Sequence, residues 1–144
     1  MIESFDGNYA FLSNFAKSPI TFNEKTWPTV DHVFQAAKTF DVNERERIRL
    51  AYSPGKAKYM GRKVSIRSDW EQVKQDIMLK CIRLKFKQNH DLKQRLLQTE
   101  NFKLIEGNTS HDNFWGDCKC SKCQKIPGKN FLGQILMNVR KELK

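Results

Sequence analysis

The chain has 144 residues, enough for one hydrophobic core and few enough to need only one. Its hydrophobic content is a modest 39%, but 10 Phe, 3 Trp and 3 Tyr supply large groups to bury, which argues against an intrinsically disordered chain. Lys and Arg number 26 against 16 Asp and Glu, a formal net charge of +10; the excess suits a polyanionic partner or plain solubility, and charge alone does not choose between them.

The opening Met1-Ile2-Glu3-Ser4-Phe5-Asp6 has neither a basic segment nor an apolar one, so no secretory signal is read there. The longest apolar runs are a few residues, far short of a membrane span. A cytoplasmic protein with reduced cysteines is therefore expected. No repeat or linker divides the chain, and residues 1–144 read as a single, mainly α domain with a few short strands.

Residues 5–27 read as irregular to extended, with short strands expected at 11–15 and 20–22 and a polar turn at Asn23-Glu24-Lys25. Pro28 and Thr29 open a first helix in which Val33, Ala36 or Ala37, and Phe40 recur at helical spacing and should face the core. A second helix is expected from Asn43 to Ala51, and a third over 56–60, ending at Gly61. Ser68-Asp69-Trp70-Glu71 has the pattern of a capping box, opening a long helix with Trp70, Val73, Ile77, Cys81 and Leu84 on one stripe. A shorter helix begins near Asn89. A strand is expected over 102–106, then a long loop from Gly107 to about Asn130, and a last helix over 131–143. So long a loop in a compact domain is usually functional or disordered, and its aromatic and glycine content favours function.

On the first helix Asp31, Gln35 and Lys38 stand at i, i+4 and i+7 and share one face. A carboxylate, an amide and an amine so aligned can orient a sugar, hold phosphate, or act as acid, base or nucleophile; the plainer reading is an exposed face with an Asp near the helix N-terminus. In the loop, Trp115-Gly116-Asp117 puts a carboxylate on a tight turn beside an aromatic plate able to stack on a base. Gly128-Lys129-Asn130 could set backbone N–H groups and an ammonium against phosphate. Cys118, Cys120 and Cys123 form a C-x-C-x-x-C cluster. It could hold zinc if Cys81, His111 or Asp117 gave a fourth ligand, but no second C-x-x-C pair exists. Free thiols, and no bound metal, are therefore the reading adopted. His32, His90 and His111 fit no motif, and His32 reads as a structural hydrogen-bonder. The stretch Lys56, Lys58, Arg62, Lys63 and Arg67 suits a diphosphate, a nucleic-acid backbone or solvent.

Several segments, in order, resemble the YbiA-like family, also called NADAR. They are Leu12-Ser13-Asn14-Phe15; Lys25 through Lys38; Met60-Gly61-Arg62; Asp69 through Lys74; Phe114-Trp115-Gly116-Asp117; and Gly128 through Met137. No single piece is decisive, but the ordered set is specific and covers nearly the whole chain. The resemblance implies a compact helical fold that hydrolyses N-glycosidic bonds without a cofactor. It implies two substrate classes: ADP-ribosylated guanine in DNA or a nucleotide, and ribosylamino-pyrimidine phosphates of riboflavin synthesis. By position, the family's catalytic carboxylate on the first helix falls on Asp31, where the family usually has Glu. The family's lysine falls on Lys38 and its second carboxylate on Asp117. The same reading puts Asn14, Phe15, Gln35, Arg62, Trp70, Trp115, Gly116, Lys129 and Asn130 around the substrate: the two tryptophans against the nucleoside, Arg62 and Lys129 on phosphates. The cysteine cluster replaces the family's glycine-rich stretch. Two routes stay open, a carboxylate-stabilised oxocarbenium ion or attack by Lys38 at C1′. A non-catalytic binder of ADP-ribose or nucleic acid is the alternative from another class. The oligomeric state is not readable.

Overall fold

The computed structural model describes all residues 1–144. It is mainly helical, with six α-helices, one short 3-10 helix and four strands of two or three residues. No helix is long and apolar enough to cross a membrane. The chain forms two compact units: Asn14–His90, and Met1–Ser13 together with Asp91–Lys144.

The contiguous unit begins with a hairpin of β1 (Ile20–Phe22) and β2 (Lys25–Trp27), paired Ile20 to Trp27 and Phe22 to Lys25. Its two-residue turn puts Asn23 and Glu24 at φ 50° and 64°, the left-handed pair that matches the twist of the flanking strands. Four helices follow: α1 (Val30–Ala36), α2 (Val42–Arg49), α3 (Pro54–Gly61) and α4 (Trp70–Gln88). The first three carry local start signals. The side chains of Thr29, Asp41 and Ser53 accept from the N–H groups of His32 (3.2 Å), Glu44 (2.8 Å) and Lys56 (3.0 Å). α1 is the centre of this unit; it packs on α2, α3 and α4, and all of its residues are buried. Its apolar residues Val30, Val33, Phe34 and Ala36 share a core with Ile48, Ala57, Met78, Ile82 and Phe86. His32 has the structural role expected of it. Its Nδ1 lies 2.8 Å from the Thr29 hydroxyl and its Nε2 3.1 Å from the Ala51 carbonyl.

The second unit is built from both ends of the chain. The 3-10 helix Gly7–Leu12, α5 (His90–Leu97) and α6 (Phe131–Glu142) supply its helices. Ile2 bridges to Leu104, its N–H on the Lys103 carbonyl at 2.8 Å and its carbonyl receiving Ile105 N–H at 2.9 Å. β3 (Gly107–Asn108) and β4 (Asp117–Cys118) form a two-residue parallel pair. Ile2, Leu12, Leu96, Leu104, Leu132, Leu136 and Val139 are buried. Buried Arg140 donates to the Thr99 hydroxyl at 2.8 Å and the Phe102 carbonyl at 2.9 Å.

Four expectations are corrected. Residues 11–15 are not a strand: Phe11 closes into the 3-10 helix, whose bonds run Tyr9 N–H to Asp6 and Ser13 N–H to Ala10. Phe40 does not face the core. α1 ends at Ala36, leaving Phe40 63% exposed under the Arg67 guanidinium, 4.3 Å from its ring. The capping box does not form, because α4 starts one residue late with Asp69 as its uncapped N-cap. Asp69 pairs instead with Arg67 at 2.6 Å, and Glu71 with Lys74 at 2.6 Å. Residues 102–106 make only the single bridge at Leu104, and the strand β3 comes after them.

Candidate active site

Because α1 is buried all round, its polar side chains lie inside the unit rather than on a solvated face. Asp31 and Gln35 are 5% and 4% exposed. One helical turn apart, they meet as the spacing requires, Gln35 Nε2 donating to Asp31 Oδ1 at 3.1 Å. That bond fixes which way the amide points and leaves Gln35 Oε1 without a donor. Asp31 Oδ2 and Asn14 Oδ1 are likewise buried with no partner. Asn14 is held beside them, its carbonyl accepting Asp31 N–H at 3.1 Å and its Nδ2 3.5 Å from the Met78 sulfur. An unsatisfied buried acceptor costs about 1–3 kcal/mol. Three on neighbouring residues make a cluster that calls for hydroxyl or N–H donors from a ligand.

Lys38 follows α1 in a turn rather than extending the helix, yet stays electrostatically coupled to the pair. Burial holds the Asp31 carboxyl above its ordinary value, against the Gln35 hydrogen bond and the pull of Lys58 and Lys38. Burial also lowers the Lys38 ammonium; Asp31 opposes the shift, while Arg62, Lys58 and Lys74 add to it. The Lys38 Nζ lies 6.0 Å from the Trp70 ring, which packs on Phe34 at 5.0 Å between centroids. Lys58 Nζ lies 5.9 Å from the half-exposed Phe15 ring. The result is a carboxyl group and an amine, both shifted toward neutrality, among cations and aromatic rings. Such a place can hold a phosphorylated sugar, move a proton or attack a carbon.

Of the residues expected around the substrate, Asn14, Phe15, Asp31, Gln35, Lys38, Arg62 and Trp70 thus fall in one unit. Three contributors escaped the sequence reading as site residues. Lys58 reads only within a basic stretch suiting a diphosphate, a nucleic-acid backbone or solvent, and Lys74 only within a segment carrying the family resemblance. Gly61 carries no functional group, but a Cβ there would lie 2.0 Å from Gln35 Oε1. Only glycine lets α3 come this close to the amide.

Trp115, Gly116, Asp117, Lys129 and Asn130 fall in the other unit, where several are engaged by the fold. Asp117 Oδ1 accepts Gly128 N–H at 3.1 Å and its Oδ2 pairs with Lys119 at 3.2 Å. Asn130, at φ 53°, accepts Glu106 N–H on Oδ1 and donates from Nδ2 to the Leu104 carbonyl, each at 2.9 Å. A Cβ on Gly116 would lie 2.1 Å from the Glu106 carbonyl oxygen, so this glycine serves close packing. Trp115 meets Phe114 edge to face at 4.7 Å. Lys129 is exposed, its Nζ 5.8 Å from the Phe114 and Phe131 rings. In the same loop the ligand atoms of His111, Cys118, Cys120 and Cys123 lie within 4.8 Å of one another. Cys81 and Asp117 are not in that group.

The family model described as the NADAR domain matches residues 3–144. N-glycosidase YbiA of Escherichia coli (strain K12) is 44% identical over 142 residues, 97% of this chain and 85% of that protein. A chloroplastic riboflavin biosynthesis protein of Zea mays, PYRR, is 34% identical over 94% of this chain, which spans only 23% of its length. The NMR structure of the Escherichia coli protein YbiA superposes with a TM-score of 0.82 at 40% identity, covering 99% of this chain and 86% of that one.

Proposed function

Because the chain belongs to the NADAR domain family, we propose that it is an N-glycosidase hydrolysing the C1′–N bond between a ribosyl group and a base, and that its substrate is ADP-ribosylated guanine in DNA or a nucleotide. The observation that carries this reading is the cluster of unpaired buried oxygens on Asn14, Asp31 and Gln35 beside Lys38. Acceptors without donors suit the hydroxyl groups of a ribose, and Lys58, Arg62 and Lys74 suit its phosphates.

Hydrolysis adds water across the C1′–N bond, and the departing base takes a proton. Asp31, with its carboxyl held high by burial, delivers a proton as the sugar ring opens at O4′. Lys38, with its proton held less tightly than in water, brings a free amine to C1′ and displaces the base, forming an imine. Water then cleaves the imine, releasing the sugar and restoring the amine. If Asp31 instead stays ionised, it stabilises positive charge at C1′ and Lys38 serves to bind. Trp70, beside Lys38, flanks the nucleoside. The riboflavin relatives favour ribosylamino-pyrimidine phosphates as the second reading, though this chain covers a small part of their length.

The test is to incubate the protein with guanine-ADP-ribosylated DNA and with ribosylamino-pyrimidine phosphates and to identify what is released. Free ADP-ribose with restored guanine is the expected product. Asp31→Asn should lower kcat about 10²–10⁴-fold. If that variant turned over normally and only bound less well, the chain would be a binder and not a hydrolase. Borohydride added during turnover should trap a sugar on Lys38; turnover without an adduct selects the oxocarbenium route.

A further inference from the structure

We propose that His111, Cys118, Cys120 and Cys123 form a structural zinc site. Their four ligand atoms lie within 4.8 Å of one another. His111 Nδ1 faces Cys120 Sγ at 3.3 Å and Cys123 Sγ at 3.4 Å. With Zn–S near 2.3 Å and Zn–N near 2.0–2.1 Å, the edges of a tetrahedron of three sulfurs and one nitrogen are about 3.5–3.8 Å. The side chains therefore need only small adjustments to enclose an ion.

The surroundings fit the same chemistry. His111 is held at φ 66°, a left-handed conformation that a residue with a side chain adopts at some cost. That conformation turns its ring back onto the thiols. Cys120 N–H points at Cys118 Sγ at 3.5 Å, and Cys118 N–H is fixed by Asn113 Oδ1 at 2.9 Å. Three thiolates and a neutral imidazole around Zn²⁺ leave one net negative charge. Lys119, Lys122 and Lys125 stand exposed between and after the cysteines, where they offset it.

Three sulfur ligands favour a soft or borderline cation and exclude magnesium and calcium. Four protein ligands leave no open position for water or substrate, so the ion braces the loop instead of catalysing. The loop it braces connects β3 to α6, and its first thiolate directly follows Asp117. Where sequence alone favoured free thiols for want of a second C-x-x-C pair, a histidine seven residues before the first cysteine completes the set.

The 144-residue chain, stripped of metal under reducing conditions, should take up about one equivalent of zinc in competition with a chromophoric chelator. Cobalt in its place should give the intense visible bands and thiolate charge transfer of a tetrahedral site. Cys123→Ser and His111→Asn should each weaken zinc binding at least about tenfold, and Asn113→Ala about ten- to hundredfold. If a cysteine variant does not fold, the cobalt spectrum of the unaltered chain decides the question. Substoichiometric zinc after reconstitution, an octahedral cobalt spectrum, or unchanged affinity in the variants would each overturn the proposal. So would a stable disulfide within the cluster in reduced, metal-supplemented protein.

Discussion

Lys85 lies in the last turn of α4 with no exposed surface, and burial lowers its ammonium to about 7. The sign of its contribution follows from the two states. Between about pH 7 and pH 10 the unfolded chain carries a proton on this amine that the folded chain has lost, so stability rises with pH across that window. Below it both states are protonated, and the folded state bears the cost of burying the charge. Lys85→Met should therefore raise stability near neutral pH, on the order of a few kcal/mol, and flatten that slope. Urea titrations at several pH values check it; an unchanged slope would show that the amine is solvated in the folded chain. Asp31 has the opposite ionisation and the same logic. Its stabilising contribution is complete below the unfolded carboxyl value and is lost as pH rises through the raised folded value. Asp31→Asn should thus raise the melting temperature at neutral pH while lowering kcat, the trade-off expected if the carboxyl is kept for chemistry. The Asp31–Gln35 contact was legible because i and i+4 meet on any helix. The burial of Lys85 was not, because it depends on elements far away in the chain.

Among the elements, helices whose start signals are local emerged close to where the sequence put them. Thr29 caps α1, as expected; α3, expected over 56–60, opens a little earlier at Pro54 behind the cap Ser53, a signal the sequence reading did not use. The failures have causes that the start signals do not show. At Ser68 the competing Arg67–Asp69 pair and a helix start one residue later override the capping pattern. β3 and β4 are pieces of two residues, defined only by each other, and no periodicity announces them. Where α3 meets α1, Gly61 gives the sharpest test. A Cβ there would lie 2.0 Å from Gln35 Oε1, 2.9 Å from its Cδ and 3.1 Å from its Cβ. Gly61→Ala should swing the amide away from Asp31, lowering kcat by roughly one to two orders of magnitude, more than it lowers stability. Equal losses of folding and activity would point to a general packing defect instead.

At the scale of the whole molecule the net charge of +10 regains meaning. Lys58, Arg62 and Lys74 surround Lys38 closely enough to lower its proton affinity, and the same field attracts a phosphorylated substrate. KM for such a substrate should rise several-fold between about 0.01 and 0.15 M salt, as the screening length falls from about 30 to 8 Å, with kcat nearly constant. A salt-independent KM would confine these cations to solubility. A mainly helical chain was readable from composition and periodicity; its division into two units was not, since this is set by contacts between distant residues. One of those contacts, the bridge from Ile2 to Leu104, orders events during synthesis. Ile2 has no bridge partner until about a hundred further residues have been made, whereas 14–90 contain the hydrogen-bonding partners of Asp31 and Gln35, Asn14 among them. The nascent chain can therefore assemble its carboxylate–amide–lysine cluster before Ile2 and Leu104 close the loop between them.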